Sequence, residues 1–514
     1  MLLRAIVLVV SALVGASACT VNPVTGERQL ALVSAGDEVA IGNAQYSPSR
    51  QMQGGDLVND PALTQYVRDV GQKLAAVSDR DLPYEFVVLN NSVPNAWALP
   101  GGKIAVNHGL LVELDSEAEL AAVLGHEIVH AAARHGALAM QRGILLQGAV
   151  LATAVAASRG DHSSWAIGAA SLGAQLINQR NGREAELEAD YYGMLYMSRA
   201  GYDPQAAVSL QETFLRLSEG RGDQGWLAGL FASHPPSAER VARNRETAAE
   251  LPANGELGRE RYQAATAPLR EAQPAYDAYA AGRMALAEGD VDEAELRANE
   301  ALRLMPGEGH FHALLGDIDL QRNRYQDATD HYRDAIARND QYFYYSLQEG
   351  RALMGLQRWE AAEASLRTSL TLLPTADAYY GLGALAERRG DLASALESYR
   401  QAAQSSGAAG QAAQDAIIRL DLPANPGQYV RLQSGLDASG MLILEIANPT
   451  RVAIADIGVV IAYTDQQGVS RQISRTLAET LPPGTSRRLG TGVGPIASGQ
   501  SYAVSVASAR VVAE

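Results

Sequence analysis

Apolar and polar positions change rhythm along this chain. Ile6 to Val14 is an apolar run behind Arg4, and Ala16-Ser17-Ala18 follow it, directly before Cys19. The run is too short to span a bilayer, and its flanks read as an export signal over residues 1–18. Glu119 to Arg134 is Ala-rich with helical spacing. Two apolar stretches, 143–157 and 165–177, are interrupted by Gln147 and Gln175 and separated by a polar turn, Gly160 to Ser164. Each falls short of the ~20 residues of a membrane span. They are expected to form a buried or lid-like helical hairpin. Residues 261–275 carry Pro268 and Pro274 and read as a connector. From about 427 the pattern alternates over Met441–Ile446, Ile457–Tyr463 and Val504–Val512, with Asn448-Pro449-Thr450, Asp465 to Gly468 and Pro482-Pro483-Gly484 between. That predicts a small immunoglobulin-like β-sandwich over 427–514, with a binding or spacing role.

Between these regions the chain repeats itself. Gly282, Gly316 and Gly350 stand 34 apart, and Gly383 follows 33 later; Ala294, Ala328, Ala362 and Ala395 keep the same spacing. Such a period, with small residues where two helices cross, is the tetratricopeptide pattern. Residues 276–420 are therefore expected to form an α-solenoid of helix pairs whose concave face holds peptides or partner helices. Tyr325 and Trp359 take the bulky position opening the second helix. Tyr342, Phe343, Tyr344 and Tyr345 open the third repeat, and only some of them can line the groove.

Composition narrows the class. Lys+Arg number 42 against 58 Asp+Glu, a net charge of −16. That balance excludes nucleic acid as the main partner. With 47% apolar and 19% charged residues the chain is globular, neither disordered nor polytopic. Its 514 residues suggest roughly three to four domains. Cys19 is the single cysteine, so no intrachain disulfide framework exists. Its place after the signal resembles a bacterial lipobox, although Ala16 stands where Leu is commoner. The implied mature N-terminus is a lipid-modified Cys19, anchoring the chain without a transmembrane helix. Thr20, rather than Asp, points to the periplasmic face of the outer membrane.

The candidate chemistry sits at His126-Glu127-Ile128-Val129-His130. On a helix, residues i and i+4 share a face, so both imidazoles reach one metal. Glu127 can reach a metal-bound water and act as general base. Zinc suits two imidazoles and a carboxylate. With nine His in the chain, this pattern arises by chance about 1% of the time, so the third ligand decides. Metzincins need Gly at 133 and His at 136; Ala133 and Gly136 exclude that class. Glu186 and Asp190 are again i and i+4. Glu186 is the candidate third ligand, and Asp190 the group holding the free nitrogen of a ligand histidine. Glu184 and Glu188 read as solvated, and His135, five residues after His130, as structural. Ile104-Ala105-Val106 is either an edge strand that pairs with extended substrate or part of the core sheet.

With these residues in view, the chain resembles the family-48 zinc metallopeptidases, the gluzincin group of CAAX prenyl proteases, HtpX and the BepA-like periplasmic lipoproteins. The resemblance covers residues 22–250. It rests on Asn22-Pro23-Val24-Thr25-Gly26, on Asn95 to Gly102 before Gly109-Leu110-Leu111, and on His126, Glu127 and His130 followed by Arg134-His135. Arg183, Glu186, Ala189 and Asp190 match the second metal motif. Ser233-His234-Pro235-Pro236 with Arg240 matches the late His-Pro motif. An attached tetratricopeptide array is the BepA-like arrangement; the β-domain departs from it. His108 is unusual for the family and carries no assigned role. His234 either polarises the scissile carbonyl, caps zinc in a resting state, or merely packs its loop.

The expected fold is multidomain: a mainly α metallopeptidase domain with a small β-sheet over 19–260, then the tetratricopeptide solenoid, then the β-sandwich. The resemblance implies a periplasmic endopeptidase with one Zn2+ per chain, acting on unfolded or mis-assembled envelope proteins. The repeat array would dock the client or the outer-membrane assembly machinery. Two alternatives stay open: a non-proteolytic scaffold or chaperone with a vestigial metal site, and a processing protease for one substrate.

Overall fold

Local signals set the helices that carry the chemistry. Ser116 caps the helix Glu117–Ala132 by accepting from the Glu119 amide at 3.2 Å. Side chains such as Leu120, Leu124, Ile128 and Val129 are fully buried there, so packing on several sides adds to Ala-rich propensity. The computed structural model describes residues 19–147, 182–220, 228–465, 467–496 and 500–512. The expected signal (1–18) lies outside the described residues, as does the expected hairpin apart from its first residues, which end the helix His135–Gln147. No helix among the described residues is long and apolar enough to cross a membrane.

The chain divides into two units, Met1–Pro374 and Thr375–Glu514. The division falls inside the expected repeat array. In the first unit, Cys19–Val21 (β1) pairs with Arg28–Leu30 (β2). Glu85–Leu89 (β3), Ala96–Leu99 (β4) and Lys103–Asn107 (β5) form a mixed sheet in the order β3-β5-β4. β5 is parallel to β3 and antiparallel to β4. Ile104-Ala105-Val106 is thus the central strand, and its backbone groups are already used. Of the two readings of that segment, the core one holds; the sheet's edges are β3 and β4.

The expected connector at 261–275 is instead helical. Arg259–Glu288 is one helix of 30 residues with Pro268 and Pro274 inside it. A proline costs an intrahelical hydrogen bond. Here tertiary contacts outweigh that loss. Tyr262 Oη donates to Leu111 O at 2.5 Å, and Arg270 donates to Val112 O at 2.8 Å and Leu114 O at 2.6 Å. The same helix continues into the repeat array as its first helix, so it runs through the expected boundary.

Helix pairs follow as the period predicts: Val291–Leu304 after the long helix, then Gly309–Gln321 with Tyr325–Arg338, and Phe343–Gly355 with Trp359–Leu372. Ala294, Ala328 and Ala362 are fully buried. A Cβ on Gly316 would lie 2.7 Å from the Tyr332 ring, which is the close crossing the spacing implies. The repeats bind the peptidase part through buried Glu308. Its carboxylate accepts from Asn59 at 2.6 Å, Asn90 at 2.9 Å and Tyr276 at 3.2 Å. His108, unassigned from the sequence, packs 4.3 Å from the Tyr276 ring. Burial pushes its pKa down to about 3, so it is a neutral packing residue. The aromatic run at 342–345 is also explained by docking. Tyr345 is buried, Tyr342 packs on Gly55, and the Phe343 amide donates to Gln51 at 2.9 Å.

The second unit begins with helices Ala376–Arg388, Leu392–Ala402 and Ala408–Asp421. Among the described residues six strands follow: Arg431–Leu436 (β6), Leu442–Ala447 (β7), Ile454–Thr464 (β8), Ser470–Leu477 (β9), Ser486–Gly490 (β10) and Tyr502–Val511 (β11). They form antiparallel sheets β10-β7-β6 and β11-β8-β9. Leu442, Leu444 and Ile446 share one apolar core with Ile457, Val459 and Ile461, the inward half of the alternation.

Candidate metal centre and active site

Two helices present the chemistry to each other. The metal helix, Glu117–Ala132, carries His126, Glu127 and His130; the helix Arg183–Arg199 carries Glu186 and Asp190. They cross at glycines. A Cβ on Gly193 would stand 3.0 Å from the His126 amide nitrogen, and one on Gly125 would stand 3.1 Å from Gly193 O. That approach brings Glu186 to the histidines. Gly193→Ala is expected to push the helices apart, costing about 1–3 kcal/mol and weakening metal retention; urea unfolding and competition with a chelator measure both.

His126, His130, Glu186 and His234 each offer a donor atom, all within 4.8 Å of one another. The Nε2 atoms of His126 and His130 are 3.0 Å apart. Glu186 lies 3.5 Å from His126 Nε2 and 3.4 Å from His130 Nε2. His234, which follows the helix Ala228–Ser233, places Nδ1 3.2 Å from His126 Nε2 and 3.1 Å from Glu186 Oε1. Its Nε2 is 3.5 Å from Glu127 Oε1. The purely loop-packing reading of His234 therefore falls away: the side chain stands in the cluster.

Asp190 accepts from His126 Nδ1 at 2.9 Å. It also accepts from Arg240 Nε and Nη2, each at 2.7 Å. Arg240 Nη1 lies 3.0 Å from Glu186 Oε2. Burial raises the Asp190 pKa, but Arg240 and His126 more than reverse this and hold it below the usual range. An ionised Asp190 has no proton to give, so His126 donates from Nδ1, and Nε2 is the nitrogen turned toward His130 and Glu186. Burial also opposes ionised Glu186, yet His234 and His126 hold its pKa well below the ordinary value. Burial raises Glu127, as suits a general base.

The sequence reading missed a second chain of contacts. Arg134, just past the metal helix, takes a left-handed conformation with φ 69°, uncommon for a side-chain-bearing residue. Its guanidinium is tied to buried Glu38 and to Val33 O. This turn swings His135 back, so that its Nδ1 lies 2.7 Å from His130 Nδ1. His135 Nε2 lies 3.3 Å from Glu188 Oε1, and Asn22 Nδ2 donates to the same oxygen at 3.4 Å. His135 and Glu188 thus back a candidate ligand; neither is a bystander. The Arg134-His135 pair was the visible signal, but the left-handed turn was not.

The donors fit a divalent zinc-class ion. Two imidazoles and a carboxylate converge, with backing groups behind both imidazoles. Glu127, Glu186 and Asp190 are buried with Arg240; as ions, the three carboxylates against one guanidinium leave two negative charges, which a divalent cation balances. Beside them an apolar cavity is lined by Leu110, Val123, Met194, Phe214 and Leu230, with Ala96 of β4 also on its wall.

Residues 61–248 match Peptidase family M48, and residues 279–342 and 347–413 match the Tetratricopeptide repeat family. The beta-barrel assembly-enhancing protease of Escherichia coli is 29% identical over 59% of this chain and 68% of its own. That of Yersinia pestis is 32% identical over 43% of this chain and 46% of its own. Mitochondrial metalloendopeptidase OMA1 of Schizosaccharomyces pombe is 37% identical over 36% of this chain and 52% of its own. The chain thus spans about half the length of two of these relatives and 68% of the third. Sequence match and site geometry agree: this chain carries an M48 metallopeptidase domain joined to tetratricopeptide repeats.

Proposed function

We propose that the chain is a periplasmic zinc-dependent endopeptidase, lipid-anchored through Cys19, that hydrolyses peptide bonds of unfolded or mis-assembled envelope proteins. The observation that carries this reading is the meeting of His126, His130 and Glu186 with Glu127 at a buried cleft. Zinc, held by those three residues, would supply Lewis-acid chemistry, acidifying water and polarising a carbonyl. Glu127 takes the proton of the attacking water on its carboxylate and delivers it to the amide nitrogen as the C–N bond breaks. Asp190 fixes the His126 tautomer, with Arg240 holding Asp190 in place. An extended substrate would run along the edge of β4, with an apolar side chain entering the adjoining cavity. His234 stands among the donors, which favours capping of the site at rest over polarising the substrate carbonyl.

The names of the bacterial relatives direct the client class toward β-barrel proteins of the outer membrane, with the repeats docking client or assembly machinery. His126→Ala is expected to lose its metal and its cleavage of unfolded casein together. Stoichiometric zinc in that variant, measured by mass spectrometry, would overturn the ligand assignment. Trapping with inactive Glu127→Gln should recover envelope proteins; recovery of none would remove the quality-control role.

A further inference from the structure

A second group of metal-type donors lies in the second tetratricopeptide repeat, outside the peptidase site. We propose that His312, His331 and Asp334 form a separate site for a divalent ion of the zinc, nickel and copper class. His312 is on the helix Gly309–Gln321; His331 and Asp334 are i and i+3 on Tyr325–Arg338, neighbouring positions on one face. One donor atom from each lies within 4.8 Å of the other two.

The hydrogen bonding around His312 argues for a cation. Its Nε2 lies 3.1 Å from Pro306 O. A carbonyl only accepts, so Nε2 carries the hydrogen and Nδ1 keeps its lone pair. That lone pair faces Asp334 Oδ2 at 3.9 Å. Two acceptors facing each other repel, and a divalent cation between them makes the contact favourable. The other Asp334 oxygen, Oδ1, is 3.4 Å from Arg338 Nη1, which leaves Oδ2 for the ion. A ring N–H donated to a backbone carbonyl is also the arrangement that orients a metal-bound imidazole. His331 is backed in turn by Asp319, whose Oδ2 lies 3.5 Å from its Nε2, and Arg324 holds Asp319 Oδ1 at 2.5 Å.

Two imidazoles and one carboxylate select borderline ions over calcium or magnesium. Such an ion would staple the two helices of the repeat whose Glu308 docks on the peptidase part. The test is equilibrium dialysis of the full mature chain against micromolar free zinc. Wild type is expected to bind about one equivalent more than His331→Gln or Asp334→Asn, and both variants should keep wild-type casein cleavage. Both residues are partly exposed, so the variants are expected to fold, which circular dichroism checks. Equal zinc stoichiometry in wild type and both folded variants would overturn the proposal. So would a difference abolished by magnesium at the same free concentration.

Discussion

Glu127→Gln is expected to abolish cleavage of unfolded substrate while leaving the metal and the fold in place. The amide has nearly the size of the carboxylate, so the buried position, 3% exposed, stays filled. It cannot take a proton from water. General-base catalysis contributes about 10²–10⁴ in rate, and the loss should be of that order or larger. The donors that converge on the candidate metal position are His126, His130, Glu186 and His234, without Glu127. Zinc content should therefore match wild type by mass spectrometry. A Glu127→Gln chain that cleaves casein at the wild-type rate would contradict the assigned base. One that loses its zinc would move Glu127 among the ligands.

The second large effect belongs to Arg240→Met. Arg240 is 4% exposed and bridges Asp190 and Glu186. Removing the guanidinium leaves buried carboxylates short of their countercharge, a change that costs about 3–5 kcal/mol. Disturbing a group behind a metal-binding histidine should also lower metal affinity about 10–100-fold. The pH dependence has a defined sign. Burial raises the Asp190 pKa and Arg240 pulls it below the ordinary value. A carboxylate with a depressed folded pKa adds stability above its unfolded pKa, about 4, and that stability is lost as pH falls through the folded value. Without Arg240 the Asp190 pKa rises. The deficit of the variant relative to wild type is then largest at neutral pH and shrinks on acidification. Urea unfolding of the metal-free proteins at several pH values measures it, and a deficit that grows in acid would contradict the account.

Spacing carried the site a long way. His126 with His130, and Glu186 with Asp190, are pairs whose shared helix faces follow from 3.6 residues per turn, and in the fold those faces oppose each other. The repeat glycines and alanines were legible for the same reason, a periodic contact. What spacing could not reveal depended on chain segments distant in sequence. Arg240 reaches Asp190 from another helix, and its part in the charge balance has no local signature. His135 looked structural because the regular helix would turn it away; the left-handed Arg134, held by Glu38, turns it back. The sheet order that makes Ile104-Ala105-Val106 central is a matter of topology. Pro268 and Pro274 signalled a break, yet Tyr262 and Arg270 tie the helix down on either side of Pro268.

We assign metal-dependent peptide hydrolysis to the His126, His130 and Glu186 cluster. The most direct test of that claim follows casein cleavage by the purified chain through chelation and stepwise return of zinc, with bound metal measured at each step. Cleavage should vanish with the metal and return as the first equivalent rebinds. A chain shown to be metal-free that still cleaves casein at the original rate would contradict the claim.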